Sequence, residues 1–192
     1  MLGFISIDCG RPESSGSYSE SSTGINYISD EPFINSGVPE TVSPGYQSGY
    51  PKHLISLRAF PDGVRNCYTV NVTQGMSYLI RAIFYYGNYD GAKTPPGFEL
   101  HLGANLWDTV SFLLETPLRK EIIHVPLQDY VRVCLANNGT GTPFISALEL
   151  RPLVENTYVT ESGSLELWTR MDLGSITNQT YRSVQSLARL SL

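Results

Sequence analysis

Tyr78 to Phe112 holds the chain's densest set of side chains able to meet a ligand. Tyr85, Tyr86, Asn88, Tyr89 and Asp90 bring three phenol rings, an amide and a carboxylate into one short stretch. Rings offer flat apolar faces, and amides and carboxylates supply hydrogen-bond donors and acceptors. A second rank comprises Trp107, which follows a turn and precedes Asp108, and Tyr46 and Tyr50, which sit among Pro and Gly. Groups that do acid–base or covalent chemistry are not clustered. His53, His101 and His124 stand singly, with no second ligand two or four positions on, so no metal site is expected. No serine lies in a Gly-X-Ser-X-Gly elbow. Asp108 and Glu115 are carboxylates of the kind a glycosidase pairs, but nothing in their surroundings marks them as buried or shifted. No glycine-rich phosphate loop precedes a helix. The expectation is recognition without catalysis, cofactor or metal.

The elements that must hold these residues read as strands. Tyr78 to Tyr86 is apolar, aromatic or β-branched, Gly87 to Gly97 is a loop, and Gly97 to Leu102 alternates. Gly103-Ala104-Asn105 is a turn, and strand character resumes at Leu106-Trp107. A polar-aromatic loop between strands combines a rigid frame with variable chemistry. Further strands are expected at Gly3 to Asp8 (as an edge or first strand), Ile25 to Ile28, Leu54 to Phe60, Arg65 to Val72, Glu121 to Val125, Asp129 to Ala136 and Phe144 to Leu150. Pro61-Asp62-Gly63 is a good turn, which predicts a hairpin of Leu54–Phe60 with Arg65–Val72. Ser29 to Lys52, rich in Pro and Gly, reads as mostly irregular loop. Strands at this spacing, with no helical periodicity before residue 180, predict an all-β chain: an antiparallel β-sandwich of jelly-roll type. The organisation expected is one module over 1–152, a linker over 153–163, and over 164–192 the incomplete start of a second module, with a strand in Leu165 to Leu173 and a divergent tail.

Composition bounds the function. The chain has 192 residues and is 41% hydrophobic, enough for a real core. Only 16% of residues are charged, against roughly 25% in ordinary soluble domains. With 12 Tyr and a net charge of −5, the balance favours an extracellular all-β protein and excludes nucleic acid, since no basic patch exists. Sequons at Asn71, Asn138 and Asn178 are glycosylation acceptors in a secretory compartment. Cys9, Cys67 and Cys134 are far apart: either all are buried thiols, or one bridge forms and leaves one thiol over. No signal peptide and no membrane-spanning apolar run is visible. A secretory body without a secretory address suggests a fragment or an incomplete reading frame.

The segments Phe4-Ile-Ser-Ile-Asp-Cys-Gly10, Arg65-Asn-Cys-Tyr-Thr69, Tyr78-Leu-Ile-Arg81, Tyr86-Gly-Asn-Tyr-Asp-Gly91, Asn105-Leu-Trp107, Glu121-Ile-Ile-His124 and Thr142-Pro-Phe-Ile-Ser-Ala-Leu-Glu-Leu-Arg-Pro152 occur in one order. Together they resemble the malectin-like ectodomain of plant leucine-rich-repeat receptor-like kinases. The resemblance covers Gly3 to about Arg182. It implies two tandem malectin modules, each a β-sandwich, followed in the parent by repeats, a membrane helix and a kinase. Arg170-Met-Asp-Leu-Gly174 and Asn178-Gln-Thr-Tyr-Arg182 resemble the opening of the second module, and after Arg182 the pattern is lost. The animal namesake binds a glucose disaccharide through loop aromatics and a carboxylate, which makes Tyr89 and its neighbours the expected sugar contacts. The function so implied is a non-catalytic ligand-recognition module on the extracellular side of the plasma membrane. It would bind a cell-wall glycan or a secreted peptide, with a possible co-receptor. The alternatives are a protein-interaction or decoy fragment using Ser29 to Lys52, and a non-functional piece.

Overall fold

Tyr78–Phe84 is buried along its whole length, on both faces. A strand covered on two sides must be apolar at successive positions, which is why this run shows no alternation. It is the seventh of fourteen strands among the residues that the computed structural model describes, 4–111, 116–154, 157–158 and 163–166. The strands are β1 (Ile5–Asp8), β2 (Tyr18–Ser19), β3 (Asn26–Ser29), β4 (Val38–Thr41), β5 (Ser56–Ala59), β6 (Arg65–Asn71), β7 (Tyr78–Phe84), β8 (Phe98–Leu102), β9 (Asn105–Val110), β10 (Leu118–His124), β11 (Tyr130–Ala136), β12 (Phe144–Ile145), β13 (Ala147–Pro152) and β14 (Ser164–Glu166). They form a seven-stranded sheet in the order β14-β10-β7-β13-β1-β3-β2, a four-stranded sheet β6-β11-β8-β9, and a three-stranded sheet β12-β5-β4. All pairings are antiparallel except β1 with β3.

The expected all-β sandwich is therefore what forms. Registers Ile80↔Leu150, Ala82↔Leu148 and Leu148↔Ile7 put one apolar face of the large sheet inward. Tyr68, Val70, Val133, Leu135, Phe98 and Leu100, all fully buried, face it from the four-stranded sheet. Phe84, Phe98 and Phe144 meet edge-on, with centroids 5.6 to 6.4 Å apart, and join the layers.

The structure refines several expectations and overturns others. Of the two readings of Gly3 to Asp8, the first-strand one holds and the edge one does not, since β1 lies between β13 and β3. The hairpin across Pro61-Asp62-Gly63 does not form: β5 pairs with β4 and β12, and β6 pairs with β11. That turn instead carries the chain from one sheet to another. Ser29 to Lys52 is not simply irregular, because it contains β4 and the 3-10 turns Glu31–Phe33 and Pro44–Tyr46. Phe144 to Leu150 is two strands. At Ser146 the chain changes sheets, with its amide donating to Ile83 O and its carbonyl accepting from the Cys9 amide, both at 2.9 Å. Of the segment Leu165 to Leu173, Leu165 and Glu166 belong to β14, which pairs with β10. Glu115, Asn178, the second-module motifs and the tail lie outside the described residues.

One bridge forms, Cys67–Cys134, and Cys9 is a buried free thiol. The register explains the pairing. The Val72 amide donates to Asp129 O and the Asn137 amide to Val64 O, so even-numbered residues of β6 make the ladder bonds to β11. Cys67 and Cys134 then oppose each other at a non-hydrogen-bonded position, where side chains approach closest.

The opposite face of the seven-stranded sheet carries charge. Arg81 on β7 is paired with Glu121 on β10 and, at 3.0 Å, with Glu149 on β13. Glu149 also accepts from Arg151 at 2.7 Å and from the Tyr27 hydroxyl at 2.6 Å. All five residues are buried. On the same face Asp8 accepts from the Tyr18 hydroxyl at 2.8 Å and from the Ser56 hydroxyl. Burial pushes the Asp8 carboxyl up from 3.8 to about 6, against the opposing pull of the Ser56 and Tyr18 hydrogen bonds. Below 3.8 Asp8 is protonated folded or unfolded; as pH rises from there to about 6, the unfolded chain releases a proton that the folded chain keeps. Stability conferred at this position therefore falls with rising pH, by up to about 3 kcal/mol. Asp8→Asn is expected to remove that slope, so that the wild-type and variant stability profiles run parallel below pH 3.8, separate between there and about pH 6, and keep a constant gap above it. Profiles that stay parallel between pH 3.8 and 6 would contradict it.

Candidate ligand-binding site

The site is built where β7 runs out. Tyr85 continues the Arg81 side of the strand, so its ring emerges on the charged face rather than in the inter-sheet core. Its amide is held by the Ser146 hydroxyl at 3.0 Å. Its own hydroxyl donates to the Tyr46 carbonyl at 2.8 Å. Tyr50 packs on the Tyr85 ring with centroids 4.3 Å apart. Gly45, Tyr46, Ser48, Tyr50 and Tyr85 line an open cleft of about 420 Å³.

Local sequence explains how this segment reaches β7. Pro44 opens the 3-10 turn Pro44–Tyr46, and Pro51 precedes the next, Lys52–Leu54. Proline sets the backbone dihedral such turns need. His53, in the second turn, is buried and stacks on Tyr27 with centroids 4.7 Å apart. Tyr46, which ends the first turn, and Tyr50, between the two, stay half-exposed. The segment is pinned at Gly87, whose carbonyl accepts from the Ser43 amide at 3.0 Å, while the Ser43 hydroxyl donates to Asn88 O at 2.6 Å. Gly87 has φ +46, and a Cβ there would lie 2.2 Å from Val42 Cγ1. Only glycine satisfies both the dihedral and the approach.

The residues of the Tyr86–Asp90 loop are engaged with one another. Tyr86 is buried and donates to Asp90; burial and that bond push the phenol up to about 12. Asp90 also accepts from the Ala92 amide at 3.0 Å, and Asn88 Oδ1 from the Lys93 amide at 2.8 Å. These contacts form a closed turn. Tyr89 lies against Phe144 and Tyr86, with centroids 5.4 and 5.6 Å away. Its hydroxyl oxygen is buried with no hydrogen-bond partner. Burial, with Asp90 nearby, pushes its phenol pKa up and so disfavours ionisation. Trp107 is only 6% exposed and does not line the cleft.

The structure thus brings together Tyr85, Tyr46 and Tyr50, one first-rank and two second-rank candidates. It leaves Tyr86, Asn88, Tyr89, Asp90 and Trp107 out of the cleft lining. Gly45 and Ser48 were not anticipated. The available signal was the four-residue spacing of Tyr46 and Tyr50 directly after Pro44-Gly45. Chemically, the cleft offers ring faces, phenol hydroxyls, a serine hydroxyl and backbone groups. Among the described residues no group of three or more His, Cys, Asp or Glu could hold a metal ion.

The malectin-like domain model matches residues 7–185. The LRR receptor-like serine/threonine-protein kinase IOS1 of Arabidopsis thaliana is 49% identical over 181 residues, 94% of this chain and 20% of that protein. The probable LRR receptor-like serine/threonine-protein kinase MEE39 of the same plant is 47% identical, over 91% of this chain and 20% of its own length. The chain thus spans about a fifth of these relatives. Among solved structures, the plant receptor-like kinase FER superposes with TM-score 0.70 at 17% identity, covering 85% of this chain and 47% of that one. The ANX2 ectodomain of Arabidopsis thaliana gives 0.69 at 17% identity, covering 80% and 43%. At that identity the structural likeness speaks for the sandwich alone, while the domain match and the close relatives show that the chain belongs to the malectin-like family.

Proposed function

We propose that the chain is a non-catalytic recognition module from the extracellular part of a leucine-rich-repeat receptor-like kinase, and that it binds a cell-wall oligosaccharide in the cleft of Tyr46, Tyr50 and Tyr85. The relatives are named as receptor kinases, and this chain corresponds to about a fifth of their length. The observation that carries the reading is the tyrosine pair Tyr50–Tyr85 walling a cleft with polar groups at its rim. Sugars present apolar C–H faces that stack on aromatic rings, and hydroxyls that bond phenols, serines and carbonyls. A folded segment pinned at Gly87 presents these groups with little ordering cost on binding.

Tyr50 is the residue to test, because it is half-exposed while Tyr85 is buried. Titration of glucan oligosaccharides is expected to give millimolar to micromolar binding, weakened about tenfold by Tyr50→Ala, the scale of one stacking contact. Tyr89→Ala is expected to leave affinity unchanged. Binding that survives Tyr50→Ala and is lost with Tyr89→Ala would move the site to the Tyr86–Asp90 loop. Absence of binding to any glucan would refute the glycan reading.

A further inference from the structure

A second concavity lies on the outer face of the four-stranded sheet. It has about 590 Å³ of space, within the range of ligand sites. Its lining includes Cys67 and Cys134, Tyr130 and Arg132, and Arg65 and Leu127. Leu127 is 84% exposed. The Arg132 guanidinium sits 5.2 Å from the centre of the Tyr130 ring and supports it. The register places a sequon beside this groove. Asn71, exposed, is directly opposite Tyr130, and shares the outward face of β6 with Cys67 and Arg65. Like Cys67–Cys134, this is a non-hydrogen-bonded pair, so the two side chains leave the sheet side by side. Asn138 is placed differently, in the turn after β11, with its Oδ1 accepting from the Thr140 amide and hydroxyl.

We propose that Asn71 carries an N-linked glycan whose first sugar residues lie on Tyr130 and fill this groove, covering the Cys67–Cys134 bridge. The proposal rests on the extracellular reading above. The modification joins Asn71 Nδ2 to the anomeric carbon of a lipid-pyrophosphate-linked oligosaccharide. The carbon–oxygen bond to phosphate breaks, its electron pair leaves with the lipid pyrophosphate, and the amide nitrogen gives up one proton. An N-acetylglucosamine has an apolar ring face for Tyr130, and hydroxyl and acetamide groups for Arg65, Gln128 and Asn105 at the groove's edge. The occupant is tethered at the rim, so its local concentration is high without strong contacts. Covering Leu127 removes an exposed apolar side chain, and covering Cys67 blocks thiolate access to its sulfur.

The test uses the whole chain secreted from plant cells. Glycopeptide mass spectrometry reads occupancy at Asn71, and trapping of free thiols reads the rate at which a small dithiol reduces Cys67–Cys134. Asn71 is expected to be occupied. Reduction is expected to be about tenfold faster in Thr73→Ala, which abolishes the sequon but keeps Asn71, and in Asn71→Gln. Tyr130→Ala keeps the sequon, so it is expected to retain the glycan but lose most of the protection. An unmodified Asn71 would overturn the proposal, as would equal reduction rates in the occupied parent and the Tyr130 variant. Oligosaccharide binding that depends on Tyr50 is read separately, so loss of either result leaves the other standing.

Discussion

Glu149→Ala is expected to destabilise the fold by about 3–5 kcal/mol, the cost of breaking a buried ion pair on one side. Glu149 is fully buried and takes hydrogen bonds from Arg81, Arg151 and Tyr27. Alanine removes the acceptor from all three at once and leaves two guanidiniums sharing less negative charge in a buried site. Arg81 keeps its pair with Glu121, which sets the loss at this scale rather than higher. Glu149→Gln preserves an acceptor for Tyr27 but not the charge, so it is expected to fall between. In a domain of this size the alanine variant should melt about 10 °C lower. Urea or thermal unfolding checks it. A shift below about 1 kcal/mol would show that the ladder across β10, β7 and β13 does not anchor the sheet.

The second large effect is at the bridge. Cys67→Ala with Cys134→Ala opens a loop closed across 67 residues. Chain entropy puts the loss at about 4 kcal/mol, through a less restricted unfolded state. The pair ties the edge strand β6 to β11, and no hairpin with β5 supports β6. Without the bridge, β6 is expected to lose hydrogen-exchange protection first. Equal protection and stability in the double variant would mean that packing of Tyr68 and Val70 alone secures the edge.

Much of the sandwich was legible in the residues because the signals were local. The alternation Tyr130-Val131-Arg132-Val133 marks β11, and Gly103-Ala104 marks the turn between β8 and β9. The error in strand pairing was non-local. Pro61-Asp62-Gly63 announces a turn but carries no information about which sheet receives the next strand, and β6 finds its partner more than sixty residues away. β4 escaped notice because its four residues are all exposed, leaving no inside–outside pattern to read. The bridge follows from register, which the spacing of three cysteines does not encode. The cleft was legible only in part. Tyr46 and Tyr50 meet Tyr85 through the docking of Val42 and Ser43 on Gly87, a contact made between distant parts of the chain. In Tyr86-Gly-Asn-Tyr-Asp-Gly91 the internal closure was not legible, because a closed turn and an open one use the same residues.

The central claim is that Tyr46 and Tyr50, backed by the buried Tyr85, form the ligand-contacting surface. The most direct measurement is a titration of the tyrosine-labelled chain with glucan oligosaccharides, followed by NMR. The prediction is saturable shifts of the Tyr46, Tyr50 and Tyr85 ring signals, with those of Tyr89 and Tyr130 unmoved. Shifts confined to Tyr89, or to Tyr130 on the opposite sheet, or no shift at all, would contradict it.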